Sequence, residues 1–251
     1  MTARVRLILG FALAVFPLLV QIPFTLLGVG FDYPDILRRP PAEVLERFAA
    51  GGDSLVLTWY AYALCVVPFL LAVIVLPDAL DASPERRRLI RALGVISAVT
   101  QLVGLLRWTL VVPGLASAYV DPAASAATRD AVVVAFDTQH RLFGNLLGEH
   151  VGQLTLALWT LLIATTQRHA ALRWLGRVAG GLFLLGLGDG LATVIAVPGA
   201  SLLGDAPLVA FLLWTAWMIA TGVGLAVRSR SSSRTATRTT PAAGAAAAPP
   251  G

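Results

Sequence analysis

Arg107, Glu149, His150 and Asp189 interrupt stretches of sequence that are otherwise almost wholly apolar. Charge is expensive in hydrocarbon, so ionisable groups at such depth pair with one another, face a hydrated cavity or serve a function. Loss of water favours the neutral, proton-donating form of a carboxyl, which makes Glu149 and Asp189 candidate acids. Arg107, Glu149, His150, Gln153, Asp189, Gln21 and Asn145 together form the candidate ligand-binding set. Convergence of Arg107, Glu149 and Asp189 would leave one net negative charge, to be relieved by protonation, by a bound cation or by external water.

The most organised pattern surrounds Glu149. Arg141, Asn145, Glu149 and Gln153 recur every fourth residue, which on an α-helix aligns them along one face. Gly144, Gly148 and Gly152 run beside them at the same interval, a seam that lets a neighbouring backbone approach closely. Such a stripe either hydrogen-bonds helices together or lines a ligand site. His150 points about 100° away from Glu149 on the same helix and is the weaker candidate.

These residues need a scaffold, and composition says which. Hydrophobic residues make up 57% of the 251, charged residues 13%, and mean hydropathy is +0.78, whereas soluble domains carry about 25% charged residues. Apolar runs at 5–30, 55–76, 89–113, 146–166, 178–197 and 208–227 mostly lack a polar stripe, the fourth being the weakest because polar residues crowd its start, and approach the roughly 20 residues that cross a bilayer. The alternative, a soluble all-helical protein, would need polar helix faces. The expected fold is therefore all-α: a polytopic helix bundle with six transmembrane helices, occupying 1–227 as one domain. The tail 228–251 is Ser, Thr, Arg, Ala and Pro, cannot bury a core, and reads as disordered.

Every basic residue is arginine, 19 in all. With both termini cytoplasmic, 13 fall on the inner side and 5 on the outer, with Arg107 inside a span, as the positive-inside rule requires of a cell-membrane protein. The net charge of +5 thus needs no nucleic-acid partner; arginines at inner helix ends meet anionic headgroups of the lipid bilayer. The first apolar run exceeds the length of a signal-peptide core and reads as a retained span.

Depth can be estimated at about 1.5 Å per residue. Arg107 precedes Pro113 by six positions, roughly 9 Å below the outer end of its span; Asp189 and Gln21 precede Pro198 and Gly30 by nine, about 13 Å. The polar group thus shares the outer leaflet. In the first outer loop, Pro40 and Pro41 suit a helix start, and Val44, Leu45 and Phe48 at helical spacing predict a short amphipathic helix on the outer surface. Gly51-Gly52-Asp53-Ser54 reads as a turn and cap. A second outer helix, 128–147, either enters the fourth span continuously or bends near Gly144 and Gly148.

Walker, HExxH, CxxC and nucleophile-elbow motifs are absent from the sequence, so no cofactor is implied, and no metal set surrounds the single Cys65, which reads as packing. The Gly186 to Gly190 run lacks a dinucleotide-binding context and suggests tight helix packing. His140 and His169 read as interfacial or loop residues. Trp59, Tyr60, Tyr62, Trp108, Trp214 and Trp217 form either an interfacial belt or the wall of an organic-ligand pocket. Val112-Pro113-Gly114 and Val197-Pro198-Gly199 are a faint hint of duplication.

Three motifs in order, Phe31-Asp32-Tyr33-Pro34-Asp35-Ile36-Leu37-Arg38, Gly104-Leu105-Leu106-Arg107-Trp108 and Gly148-Glu149-His150-Val151-Gly152, resemble the actinobacterial multi-pass membrane family catalogued as domain of unknown function four-three-eight-six. The resemblance covers nearly the whole chain apart from the tail. It implies a polytopic membrane protein and brings no activity with it. Three roles remain open: a protein that binds or translocates a small-molecule or lipid ligand, an enzyme that protonates a lipid or isoprenoid in the manner of the small membrane terpene cyclases, and a structural or regulatory membrane partner.

Overall fold

The computed structural model describes the backbone of residues 1–192, 194–195 and 206–238, and the side chains of these except 189–190 and 230–238. Asp189 therefore enters only by its backbone. The described residues contain no strand. Six helical passes are long and apolar enough to cross a membrane: Ala3–Phe31, Pro41–Ala79, Pro84–Val120, Ala126–Ala164, Ala170–Gly188 and Ala206–Ser229.

The first pass is a single helix, α1 (Ala3–Phe31), capped by Thr2, whose hydroxyl accepts from the Val5 amide at 3.4 Å. Pro17 and Pro23 lie within it and are buried; apolar surroundings and neighbouring helices make proline tolerable there. It stops at Asp32, which takes the left-handed conformation (φ 58°) and returns its amide to the Leu27 carbonyl. A short strap follows, whose 3₁₀ turn spans Asp35–Arg38.

Proline at the first turn starts α2 (Pro41–Leu64) as expected. Its amphipathic opening does not lie on a lipid surface. Val44, Leu45 and Phe48 are fully buried against Phe31, Trp108 and Phe136, because the bend at Gly52 (φ 56°) turns this segment back over the bundle. Glycine alone reaches that backbone conformation without strain. The second pass continues through α3 (Val66–Val75), offset at Cys65.

Ser83 caps α4 (Pro84–Leu110), and the chain stays helical past Pro113 as α5 (Val112–Val120). Proline fits the first turn of this renewed helix, so the third pass extends beyond the expected end at 113. Ser125 caps α6 (Ala126–Gln139), which flows into a π-helical segment, His140–Gly152, and then α7 (Gln153–Ala164). Of the two expected routes into the fourth pass, the continuous one occurs, with widened turns in place of a bend. Two further helices follow among the described residues, α8 (Ala170–Ala192) and α9 (Ala206–Arg238). The backbone of α9 is helical to Arg238, past the expected end of the last span at 227. Residues 239–251 lie outside the described part.

Each pass packs on its neighbours in sequence, and the sixth closes on the first, giving a ring of six. Closure is tight: a methyl on Gly222 would sit 2.5 Å from the Gly10 carbonyl oxygen and 2.7 Å from the Ala14 amide nitrogen, so α1 and α9 meet backbone to backbone. Gly186 likewise packs on Pro207. The outside of the ring is apolar, with Phe11 67% and Val29 86% exposed, the surface of a protein that meets lipid.

Candidate functional site

Arg107 occupies a slot made by glycine. A methyl on Gly144 would lie 2.6 Å from Nη2 of Arg107, and one on Gly104 would lie 2.9 Å from the Phe143 carbonyl and 3.2 Å from Cα of Gly148. The glycine seam thus does what its spacing suggests, bringing α4 against the π segment, and it also houses the guanidinium. Arg107 is 6% exposed. Its Nη1 donates to the Gly104 carbonyl, its Cζ lies 5.1 Å from the Trp108 ring centre, and Nη2 stands 3.5 Å from Nδ1 of His140.

His140 is buried, not interfacial as its position suggested, because the π segment turns it into the interior. Its other nitrogen, Nε2, is 3.2 Å from the Leu37 carbonyl. A carbonyl cannot donate and a guanidinium cannot accept, so the partners select the tautomer with hydrogen on Nε2 and a lone pair on Nδ1 toward Arg107. Arg38, the next residue of the strap, donates to both oxygens of Glu149 at 3.0 and 3.4 Å. Two consecutive strap residues are therefore tied to the fourth pass, one through its backbone and one through its side chain.

Under the strap lies a cavity of about 440 Å³. Its mouth is polar, formed by Tyr33, Asp35, Arg38, Arg107, Glu149, His150 and Gln153; its depth is aromatic and apolar, reaching Phe16, Phe69, Phe183, Phe211 and Trp214. Tyr33 lies at the mouth, where burial and then the nearby Glu149 carboxylate push its phenol above the usual range, so it stays a neutral hydrogen-bonding group.

The π segment explains which residues share this mouth. At the roughly 100° per residue of an α-helix, Gly144 and Gln153, nine positions apart, would face opposite ways. Bonding to the fifth residue widens each turn and rotates each residue by less, and Gly144, Gly148, Glu149, His150 and Gln153 all reach the cavity. His150 consequently lines the mouth although it was expected to point away. Arg141 leaves the stripe, pairing with Asp137 at 2.8 Å in an exposed position. Asn145 does not line the cavity, and its Oδ1 is buried without a hydrogen-bond partner among the described residues. Gln21 bonds Thr215 at 3.2 Å, joining α1 to α9.

Arg107 and Glu149 face one cavity without a direct ion pair. Arg38 brings a positive charge against Glu149; the expected convergence with Asp189 lies outside the described side chains. Arg38, His140 and Tyr33 were the residues missed; the signal for two of them was the Phe31 to Arg38 motif itself. Of the aromatics, Trp59, Tyr62, Trp108 and Trp214 line the cavity, Trp217 is buried elsewhere in the core, and Tyr60 alone stays largely exposed. Trp59 and Trp108 stack at 4.7 Å with 9° between their planes.

A ring of six apolar helices around a cavity with a polar mouth defines a multi-pass membrane helix bundle. Residues 5–222 match the model of the family described as Domain of unknown function (DUF4386), and the chain belongs to that family. No curated protein and no solved structure matches it.

Proposed function

We propose that the protein binds an amphiphilic molecule, a lipid or lipid-like compound, with its polar head beneath the strap and its apolar tail among the aromatic side chains. One observation carries this reading: a single cavity joins Arg38, Glu149 and Arg107 at one end to Phe16, Phe69 and Trp214 at the other. Pockets that are mostly apolar with a few convergent polar groups are the usual form of small-molecule sites. Asp189 stands on α8, which also supplies Phe183 and Leu187 to the cavity wall, and remains a candidate by position.

The arginine distribution supports a strap facing the outside of the cell membrane with both termini in the cytoplasm. A reporter enzyme active only in the cytoplasm, fused after Arg238, is expected to be active; activity solely in an external reporter would reverse the orientation.

The alternative of a lipid or isoprenoid enzyme needs a carboxyl that donates a proton into the cavity. Glu149 instead accepts two hydrogen bonds from Arg38, which favours binding over acid catalysis at that position.

The test is retention. Protein purified in a mild neutral detergent is extracted, and its lipid-like contents are quantified by mass spectrometry for wild type and for Cys65→Phe, which fills the cavity wall. Wild type is expected to retain, after a high-salt wash that strips headgroup-bound lipid, an amphiphile near one per chain and the variant about tenfold less. Equal retention by both, or none by wild type, would sink the proposal.

A further inference from the structure

At the opposite end of the ring, where the start of α1 lies beside the Thr221 to Arg228 stretch of α9, a second cavity of about 550 Å³ opens between helices. Four arginines line it, Arg6, Arg87, Arg168 and Arg228, against Asp78 and Asp81. The carboxylates are largely spoken for elsewhere or hydrated. Asp78 pairs with Arg91 at 2.8 Å, and Asp81 lies 3.7 Å from Arg168 with both side chains mostly in solvent.

Arg6 and Arg87 are different. Among the described residues neither has a carboxylate partner within ion-pair distance, and the Nε of each is buried without any hydrogen-bond partner. Arg87 uses Nη2 on the Leu80 carbonyl at 3.0 Å, which fixes its guanidinium in the wall. Solvent does not reach either Nε, so the donors that can meet a ligand are the terminal nitrogens of these guanidinium groups; two cations without a carboxylate partner in one cavity mark a place suited to anionic oxygens. Guanidinium forks match phosphate geometry, and charge-assisted bonds of this kind are strong.

The surroundings identify the source of the phosphate. Val5, Ile8 and Val227, beside Arg6 and Arg228, are 41%, 60% and 57% exposed, so apolar surface continues from the cavity down the outside of the ring. A free anion has no use for that surface, whereas an acyl chain does. Basic pockets between transmembrane helices hold lipid headgroups by this combination.

We propose that this cavity binds the phosphate of an anionic phospholipid from the adjoining leaflet, with Arg6 and Arg87 as its principal donors. It is separate from the strap-end cavity and does not depend on what that cavity holds.

The experiment is thermal unfolding of the full chain in dodecyl maltoside, titrated separately with phosphatidylglycerol, phosphatidylcholine and inorganic phosphate. Phosphatidylglycerol is expected to raise Tm saturably in wild type, phosphatidylcholine and inorganic phosphate to leave it nearly unchanged, and the half-saturating concentration to rise at least about fivefold in Arg6→Gln and Arg87→Gln. Should either variant fail to fold, the count of phosphatidylglycerol molecules carried by wild type in native mass spectrometry, at low and high salt, replaces it: a salt-sensitive bound lipid is expected. Equal stabilisation of wild type and variants, no shift in wild type, a salt-insensitive count, or a full shift with inorganic phosphate alone would overturn the proposal, the last by making this a free-anion site.

Discussion

Arg38 and Glu149, 111 positions apart in the chain, meet through two hydrogen bonds to one carboxylate and fasten the strap across the mouth of the cavity. Their side chains are 37% and 21% exposed, so solvent weakens the attraction. A double-mutant cycle with Arg38→Ala and Glu149→Gln, read by denaturant unfolding in detergent, is expected to give a coupling of about 1 kcal/mol or less. Amphiphile retention should nevertheless fall in both single variants. A coupling of several kcal/mol with unchanged retention would make the pair purely a strut.

Arg107 separates structure from function more sharply. Replacing a buried charge by an apolar group of similar size is often neutral or stabilising, and Met fits the glycine slot as a flexible chain. Arg107→Met is therefore expected to keep or raise Tm while retention of a charged amphiphile drops about tenfold. A loss of stability with normal retention would assign the guanidinium to helix packing alone.

The stacked Trp59 and Trp108 carry the strap-end core. Trp108 touches Phe31, Phe48, Phe136 and His140 as well. Its truncation to Ala should cost about 3–5 kcal/mol, whereas Tyr60→Ala, on the lipid side, should change stability by about 0.5 kcal/mol or less. Equal effects in chemical unfolding would contradict the division between interior and surface aromatics.

How far the sequence could be read depended on which physical rule governed each residue. The six passes were legible because hydropathy averages over many residues and survives local irregularity. Arg107 and Glu149 stood out because a charge among apolar neighbours is conspicuous whatever the helix rotation. Arg38 and His140 were not, since polar residues beside a loop look solvated until the chain folds over them. The face shared by Gly144 and Gln153 was hidden for another reason: it requires π-helical turns, and periodicity assumes α. Neighbour order was likewise absent, because pairing of passes is a tertiary choice; the seam at Gly144 and Gly148 announced a close approach without naming its partner, and nothing in the sequence joined Gly10 to Gly222.

That contact gives a direct test of the ring. Gly222→Leu would place a branched side chain where 2.5 Å is available to the first atom. Backbone at both sides cannot yield, so overpacking is expected to cost about 1–3 kcal/mol or more and to abolish amphiphile retention by parting α1 from α9. Gly181→Leu, with open space at its Cβ and a place in neither cavity wall, is the control and should behave as wild type in both measurements.

Because the first and last passes seal one another, the cavity has an order of manufacture. A ribosome delivers α1 long before α9, and until the final helix enters the bilayer the interior stands open sideways to the membrane along its full height. A hydrophobic occupant can therefore be taken up from the lipid phase as the barrel is assembled and then be shut in by the last stave.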